Sequence, residues 1–227
     1  MSAPAPKTEL MQSLGQLVRG LSALFWGLPL ALVLGVQTAR TDWLRPFGPF
    51  PPLAAAGLLF FGLRQLEHFQ REERVWRAAI ERAKLLALVN VGLSPFLFFW
   101  HVLPGVAFFG QVVMVLALTS LAFLFALNRV LQQLTALLPD ETLRLETRLF
   151  TTLNLYLLVA MLVVVTGYFG LAYLPALPRL LFRMRLLLDR ESLWLLILMV
   201  LLPVATTMAL LWKTKEVILA GVFGMEN

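Results

Sequence analysis

The chain of 227 residues contains no cysteine and only two histidines, His68 and His101. The absence of cysteine excludes disulfides, thiolate catalysis, Cys-ligated zinc and iron–sulfur clusters. Charged residues are also scarce, at 14% of the chain, against about a quarter in soluble domains. Six apolar stretches run through the sequence, and no Asp, Glu, Lys or Arg lies deep inside any of them. Pumps and proton-coupled carriers commonly use ionisable residues at membrane depth, so this absence disfavours those classes.

Apolar residues dominate what remains. Hydrophobic residues make up 59% of the chain and its mean hydropathy is +0.81, which is more apolar surface than a soluble fold of this size can bury. We therefore expect an all-α integral membrane protein, because a helix satisfies its own backbone hydrogen bonds in lipid. The net charge of +6 comes from bases scattered between the apolar stretches. Their dispersal indicates contact with anionic lipid headgroups and gives no reason to expect nucleic acid as a partner.

The six apolar stretches predict about six transmembrane helices in a single polytopic membrane domain. All but the second stretch reach or approach the length of about 20 residues that crosses a bilayer core. The predicted spans cover residues 17–36, 50–63, 85–103, 106–127, 149–174 and 193–212. Consecutive spans are expected to pair into three tandem helical hairpins, the second of which turns at Pro104-Gly105. Residues 175–192 carry four arginines and are expected either at the membrane interface or partly inserted.

The bases are unequally divided between the two sides of this predicted bundle. Thirteen fall on the side that carries both ends of the chain, and six fall on the other side. Because basic loops are retained in the cytoplasm, we expect both termini to be cytoplasmic and the bundle to lie in a bacterial inner membrane.

Four polar residues inside the spans are candidate site residues. A shift of 64 residues aligns part of the chain with itself and places Asn90 on Asn154, although Leu-rich helices align easily by chance and the reality of this repeat stays open. An amide in lipid needs a hydrogen-bond partner, commonly on another helix, so we expect Asn90 and Asn154 to bond to each other. With Gln111 and Thr119 they form either interhelical contacts or a polar pathway through the bundle.

The connection 64–84 is predicted to extend the second and third spans into the cytoplasm as amphipathic helix, because no Gly or Pro interrupts it. Six of its residues recur at spacings of three and four, which places them on one helical stripe. The stripe consists of Leu66, Phe69, Glu73, Trp76, Ile80 and Ala83. It either packs within the protein or docks another subunit, and the candidate partner-binding residues are Phe69, Glu73, Trp76 and Arg77.

The corresponding connection, 128–148, is expected to break at Pro139. Asp140 is then expected to cap the helix that follows, because an aspartate at this position accepts hydrogen bonds from free backbone N–H groups.

One short pattern has a catalytic resemblance. Residues 72–77 read EERVWR and resemble the EExxxR motif of the CAAX-protease and bacteriocin-processing membrane family. The resemblance implies that Glu72 would activate water for peptide cleavage with the help of histidines. The second motif of that family, FxxxH, is not met, because Leu97 stands four residues before His101 where a Phe is expected.

The sequence therefore predicts a non-catalytic membrane protein, an accessory or scaffold subunit of a larger membrane complex. The alternative is a passive channel or small-solute transporter, and a membrane peptidase is a remote alternative. We expect no cofactor and no metal. The expected partners are the lipid bilayer and either other membrane subunits or further copies of the chain.

Overall fold

The computed structural model describes residues 6–67, 69, 73–136, 141–172 and 200–219. Within these ranges all regular structure is helical, in agreement with the predicted all-α class. The α-helices are α1 (Pro6–Arg40), α2 (Phe50–Leu66), α3 (Arg74–Leu93), α4 (Phe96–Val102), α5 (Ala107–Ala136) and α6 (Glu141–Ala172). Residues 200–219 are also helical and are called the C-terminal helix below.

Three helical segments are long enough and apolar enough to cross a membrane. They are Ser13–Arg40, Arg74–Val102 and Ala107–Ala136, and two shorter apolar helices, Phe50–Leu66 and Arg148–Val163, accompany them. These segments contain or overlap the first five predicted spans. The sixth predicted span begins outside the described residues, and the arginine-bearing segment 175–192 lies wholly outside them.

The third predicted span consists of two helices, because the chain breaks at Pro95. Helix α3 ends at Leu93 and α4 begins at Phe96. Proline has no backbone N–H to continue the helical hydrogen bonds, and the backbone N–H of Leu97 bonds instead to the carbonyl of Ser94 at 3.2 Å. Pro29, by contrast, lies inside the continuous helix α1.

The helices share one continuous apolar core. Helix α1 packs along α2, α3 along α5, and α5 along α6, while α2 and α3 are also neighbours. The core draws on α1, α2, α3, α5 and the C-terminal helix, with the representative residues Leu21, Leu63, Ile80, Leu127 and Leu211 each at most 1% exposed. Helix α6 joins it through a smaller cluster that contains Leu121, Leu158 and Met161.

Two glycines allow the backbones of α1 and α2 to approach closely. A Cβ atom built on Gly20 would lie 2.8 Å from the backbone oxygen of Gly62, and one built on Gly62 would lie 2.8 Å from Cγ of Leu24. Small residues at a contact between membrane helices increase their van der Waals packing. This hairpin therefore depends on the absence of side chains at both positions.

The connection 64–84 differs from its prediction. Helix α2 ends at Leu66 and α3 begins only at Arg74, so the stripe from Leu66 to Ala83 belongs to two helices that face one core. The regular spacing is compatible with both arrangements because each helix end contributes its own buried face. Helix α3 does extend before the predicted start of the third span, by more than two turns.

The second long connection is described only at its two ends. Helix α5 is described as far as Ala136 and α6 from Glu141. The break expected at Pro139 and the predicted capping role of Asp140 both lie outside the described residues.

We predict that Gly20→Ala destabilises the protein by about 1–3 kcal/mol, the usual cost of overpacking, because the new methyl group meets backbone rather than a flexible side chain. Thermal unfolding in one fixed detergent measures the change. Gly57→Ala in α2 is the matched control, since a Cβ there has no neighbour within 4 Å, and it should be neutral or slightly stabilising. Equal effects of the two variants would contradict the close approach of the helices.

Candidate functional site

The most ordered polar site lies where α5, α6 and the C-terminal helix meet. The Nδ2 atom of Asn154 donates to Oδ1 of Asn128 at 2.9 Å and to Oγ1 of Thr207 at 2.8 Å. The Nδ2 atom of Asn128 donates to the same threonine oxygen at 3.0 Å and to the carbonyl of Leu124 at 2.8 Å. All three side chains are completely buried. We call Asn128, Asn154 and Thr207 the amide network.

The amide network uses nearly all of its hydrogen-bonding capacity internally. Both N–H groups of each amide are engaged, and Thr207 in turn donates to the carbonyl of Pro203 at 2.7 Å. Within the described part of the chain, Oδ1 of Asn154 and the neighbouring Thr151 hydroxyl have no partner. A network of this kind ties three helices together, since each donor would cost free energy if it faced hydrocarbon alone.

Asn90 belongs to a different contact. The Thr119 hydroxyl donates to Oδ1 of Asn90 at 2.6 Å and thereby joins α3 to α5. The predicted hydrogen bond between Asn90 and Asn154 is therefore wrong. The two amides have different partners because the helices that carry them pack against different faces of α5.

The four polar candidates do not come together in one place. Gln111 is exposed near the start of α5, Asn90 and Thr119 pair with each other, and Asn154 belongs to the amide network. A continuous polar pathway needs its polar groups to follow one another along a common path. The described residues show separate interhelical contacts instead.

Asn128 was not among the predicted site residues, because the sequence places it at the end of a span, next to Arg129. A signal for it was nevertheless present. Leu121, Leu124, Asn128, Leu131 and Thr135 recur at spacings of three and four, and all of them are buried or half-buried. Extending that stripe past the end of the predicted span would have placed Asn128 on the buried face.

A second ordered feature connects α2 to α3. The indole Nε1 of Trp76 donates to the carbonyl oxygen of Phe69 at 2.8 Å, and the two rings meet edge to face with centroids 6.2 Å apart. Glu67, directly after α2, forms an ion pair with Lys84 of α3 at 2.6 Å. The turn between the helices is thus fixed by an indole, a backbone carbonyl and one charged pair.

The burial of Trp76 changes its predicted role. The side chain is 2% exposed, so it cannot present its indole to another protein while this fold persists, and the expectation that it contacts a partner is corrected. Phe69 and Glu73 are half-buried, whereas Arg77 is exposed. Of the four partner-binding candidates, Arg77 is the one that points away from the core.

The described structure contains only part of the catalytic resemblance, and the described parts lie far apart. His101 contacts Asp42, with 3.1 Å between Nε2 and Oδ1, at the end of the bundle opposite Lys84. The stretch from Glu73 to His101 corresponds to roughly 40 Å of helix. Glu72 and His68 lie outside the described residues. Among those described, no three His, Asp or Glu side chains form a group that could hold a metal ion.

The chain matches no protein-family model, no curated protein and no solved structure.

We predict that Asn128→Ala and Asn154→Ala are coupled in a double-mutant cycle by about 0.6–1.7 kcal/mol, between the average and the largest coupling measured for hydrogen bonds between membrane helices. The cycle of Asn90→Ala with Asn154→Ala is the control. It should be additive within about 0.5 kcal/mol, because these residues share no partner. Unfolding free energies in mixed micelles provide both values. Coupling in the control cycle, and none in the first, would contradict the separation of the two contacts.

We predict that Trp76→Phe lowers the unfolding free energy by about 1–3 kcal/mol, because the Phe69 carbonyl loses its buried donor. Near-ultraviolet circular dichroism during thermal unfolding follows the change. Trp26→Phe is the control, because that indole is 63% exposed, and its effect should be much smaller. If both variants unfold alike, the turn does not depend on the indole.

Proposed function

We propose that this chain is a six-span integral membrane protein that acts as a non-catalytic accessory or scaffold subunit of a larger membrane complex. The observation that carries the proposal is the amide network. Its buried donors all bond to other parts of the chain, as expected of residues that hold helices together. A subunit of this kind contributes shape and surface rather than chemistry.

The proposed six spans form three tandem hairpins. Helices α1 and α2 make the first, α3 with α4 and α5 make the second, and α6 with the C-terminal helix makes the third. The packing of α1 on α2 and of α3 on α5 supports the first two, and the Asn154–Thr207 bond supports the third. Both termini are proposed to face the cytoplasm of a bacterial inner membrane, on the side of Lys84.

The proposed partner surface combines charge at the cytoplasmic end with apolar side chains at membrane depth. Arg77 and Glu81 are exposed at the beginning of α3. Farther along the same helix Leu85 and Leu88 are 64% and 52% exposed, so one face of α3 offers both an ionic and an apolar contact. Such a face suits another membrane protein whose helix lies alongside and carries an acidic residue near the same headgroup level.

The alternative function is a passive channel, in which polar side chains would face a solute and not one another. It would need Asn90, Gln111, Thr119 and Asn154 to line a common path. Their distribution over separate contacts favours the subunit role, and transport measured in liposomes with Asn90→Ala or Asn154→Ala addresses the alternative directly.

We predict that gentle extraction from native membranes yields a heteromeric particle with stoichiometric partners, identified by mass determination of the intact particle. Arg77→Glu should deplete a partner severalfold, because the juxtaposition of like charges at an interface costs several kcal/mol. Arg40→Glu makes the same charge change at the other end of the bundle and should leave the partners in place.

A lone monomer, or a complex whose partners remain bound in the Arg77→Glu variant, would contradict the proposed partner surface. Solute flux that depends on Asn90 or Asn154 would favour the channel function instead.

A further inference from the structure

A groove of about 930 Å³ runs along the surface between α3, α5 and α6. Its volume lies within the range of about 300–1,000 Å³ that ligand pockets occupy. One end is lined by the arginines Arg74, Arg82 and Arg129. The rest of the wall is mostly apolar, with Leu86, Leu118, Phe125, Leu158 and Leu162 among its residues. The groove is therefore basic at one end and mostly apolar along the rest of its length.

Among the described residues, the three arginines have no compensating negative charge. No acidic side chain is among the described residues that line the groove, and none of the three arginines forms an ion pair with a described residue. All three are exposed. Arg74 is also the first residue of α3, where the helix dipole disfavours a cation. An anion bound between these guanidinium groups would reduce their mutual repulsion.

The dimensions of the groove correspond to one leaflet of a bilayer. From Gln133 to Leu118 along α5 it is about 22 Å long at the helical rise of about 1.5 Å per residue. Half of a hydrocarbon core of about 30 Å, with one headgroup layer of about 5–7 Å, spans a similar distance. The arginines lie at the end where Lys84 marks the headgroup level, and the apolar walls continue to membrane depth.

We propose that this groove binds an anionic phospholipid of the leaflet on the Lys84 side. The phosphate contacts Arg74, Arg82 and Arg129, whose guanidinium groups can each donate two parallel hydrogen bonds. An acyl chain lies along the apolar wall past Phe125 toward Leu118. The inference rests on the membrane placement in the proposed function but does not depend on the subunit role.

The charge of the groove also distinguishes the lipid from another occupant within the chain. Residues 175–192 contain four arginines and two acids, so this segment is net positive and does not complement the arginines. Basic pockets between helices near the cytoplasmic face of a membrane bind anionic lipid headgroups. An anionic lipid satisfies the charge and the apolar length of the groove with one molecule.

The test uses the full-length protein, purified and delipidated in detergent, and titrated with phosphatidylglycerol or with phosphatidylcholine of identical acyl chains. Native mass spectrometry counts the bound lipid. The wild type should prefer phosphatidylglycerol. The triple variant Arg74→Gln/Arg82→Gln/Arg129→Gln should bind it about 100-fold more weakly, since each base near an anionic headgroup contributes about a factor of five.

Two further variants test whether the lipid binds in the groove or to basic residues elsewhere on the surface. Arg19→Gln/Arg148→Gln/Lys215→Gln removes the same charge at the same end but outside the groove, and it should retain the preference. Ala122→Trp leaves every arginine in place and fills the groove at Ala122, one of its lining residues. It should displace the lipid if an acyl chain lies there.

Several outcomes would overturn the proposal. Equal binding by the wild type and the groove triple variant would do so, as would equal loss in the control triple variant. Displacement of the lipid by inorganic phosphate, together with insensitivity to Ala122→Trp, would assign the arginines to free phosphate. A photo-crosslinker at position 122 that captures protein in native membranes would assign the groove to a subunit. Lipid binding measured on the isolated protein is independent of partner co-purification, so failure of one proposal is distinguishable from failure of the other.

Discussion

The free-energy cost of leaving a polar group without a hydrogen bond in an apolar environment constrains how this bundle is assembled. Backbone groups meet the requirement by forming helices, which leaves the side-chain amides of the apolar stretches to be accommodated. The structure does so at Asn128, Asn154 and Thr207, where two amides share one threonine oxygen. Because these residues lie on three different helices, their hydrogen bonds also specify which helices are neighbours and at what height.

Hydrophobic packing alone is a weak guide to such an arrangement. Lipid tails are as apolar as leucine side chains, so membrane helices gain little from hiding leucine from lipid. The choice of which helices pack together must therefore come from contacts that lipid tails cannot make. In this chain those features are the close approach at Gly20 and Gly62, the amide network, and the bond from Trp76 to the Phe69 carbonyl. Each feature joins a different set of helices. Together they connect α1 to α2, α2 to α3, and α5 to both α6 and the C-terminal helix.

The helical class and the approximate positions of the first five apolar helices could be predicted from the sequence, because both follow from composition along a single segment. The Asn90–Asn154 bond could not, since a linear shift between two Leu-rich segments says nothing about which faces of α5 they occupy. Trp76 shows a related limit. Its stripe correctly indicated a buried face, but the spacing could not distinguish one long helix from two helix ends that meet at a turn. Arg129 lies far from Arg74 and Arg82 in sequence, and only the packing of α3 against α5 brings the three arginines to one groove.

The distribution of charge gives the two ends of the bundle different roles. At the end of His101, the imidazole contacts Asp42 and Arg45 lies 3.7 Å from the same carboxylate, so the acid described there has basic partners. At the end of Lys84 one ion pair fixes the turn, while three arginines of the groove have no ionic partner among the described residues. Stability would be better served by pairing them, because like charges repel. The proposed lipid site rests on this basic cluster beside an apolar groove, because an anionic headgroup would supply the charge that the described residues do not.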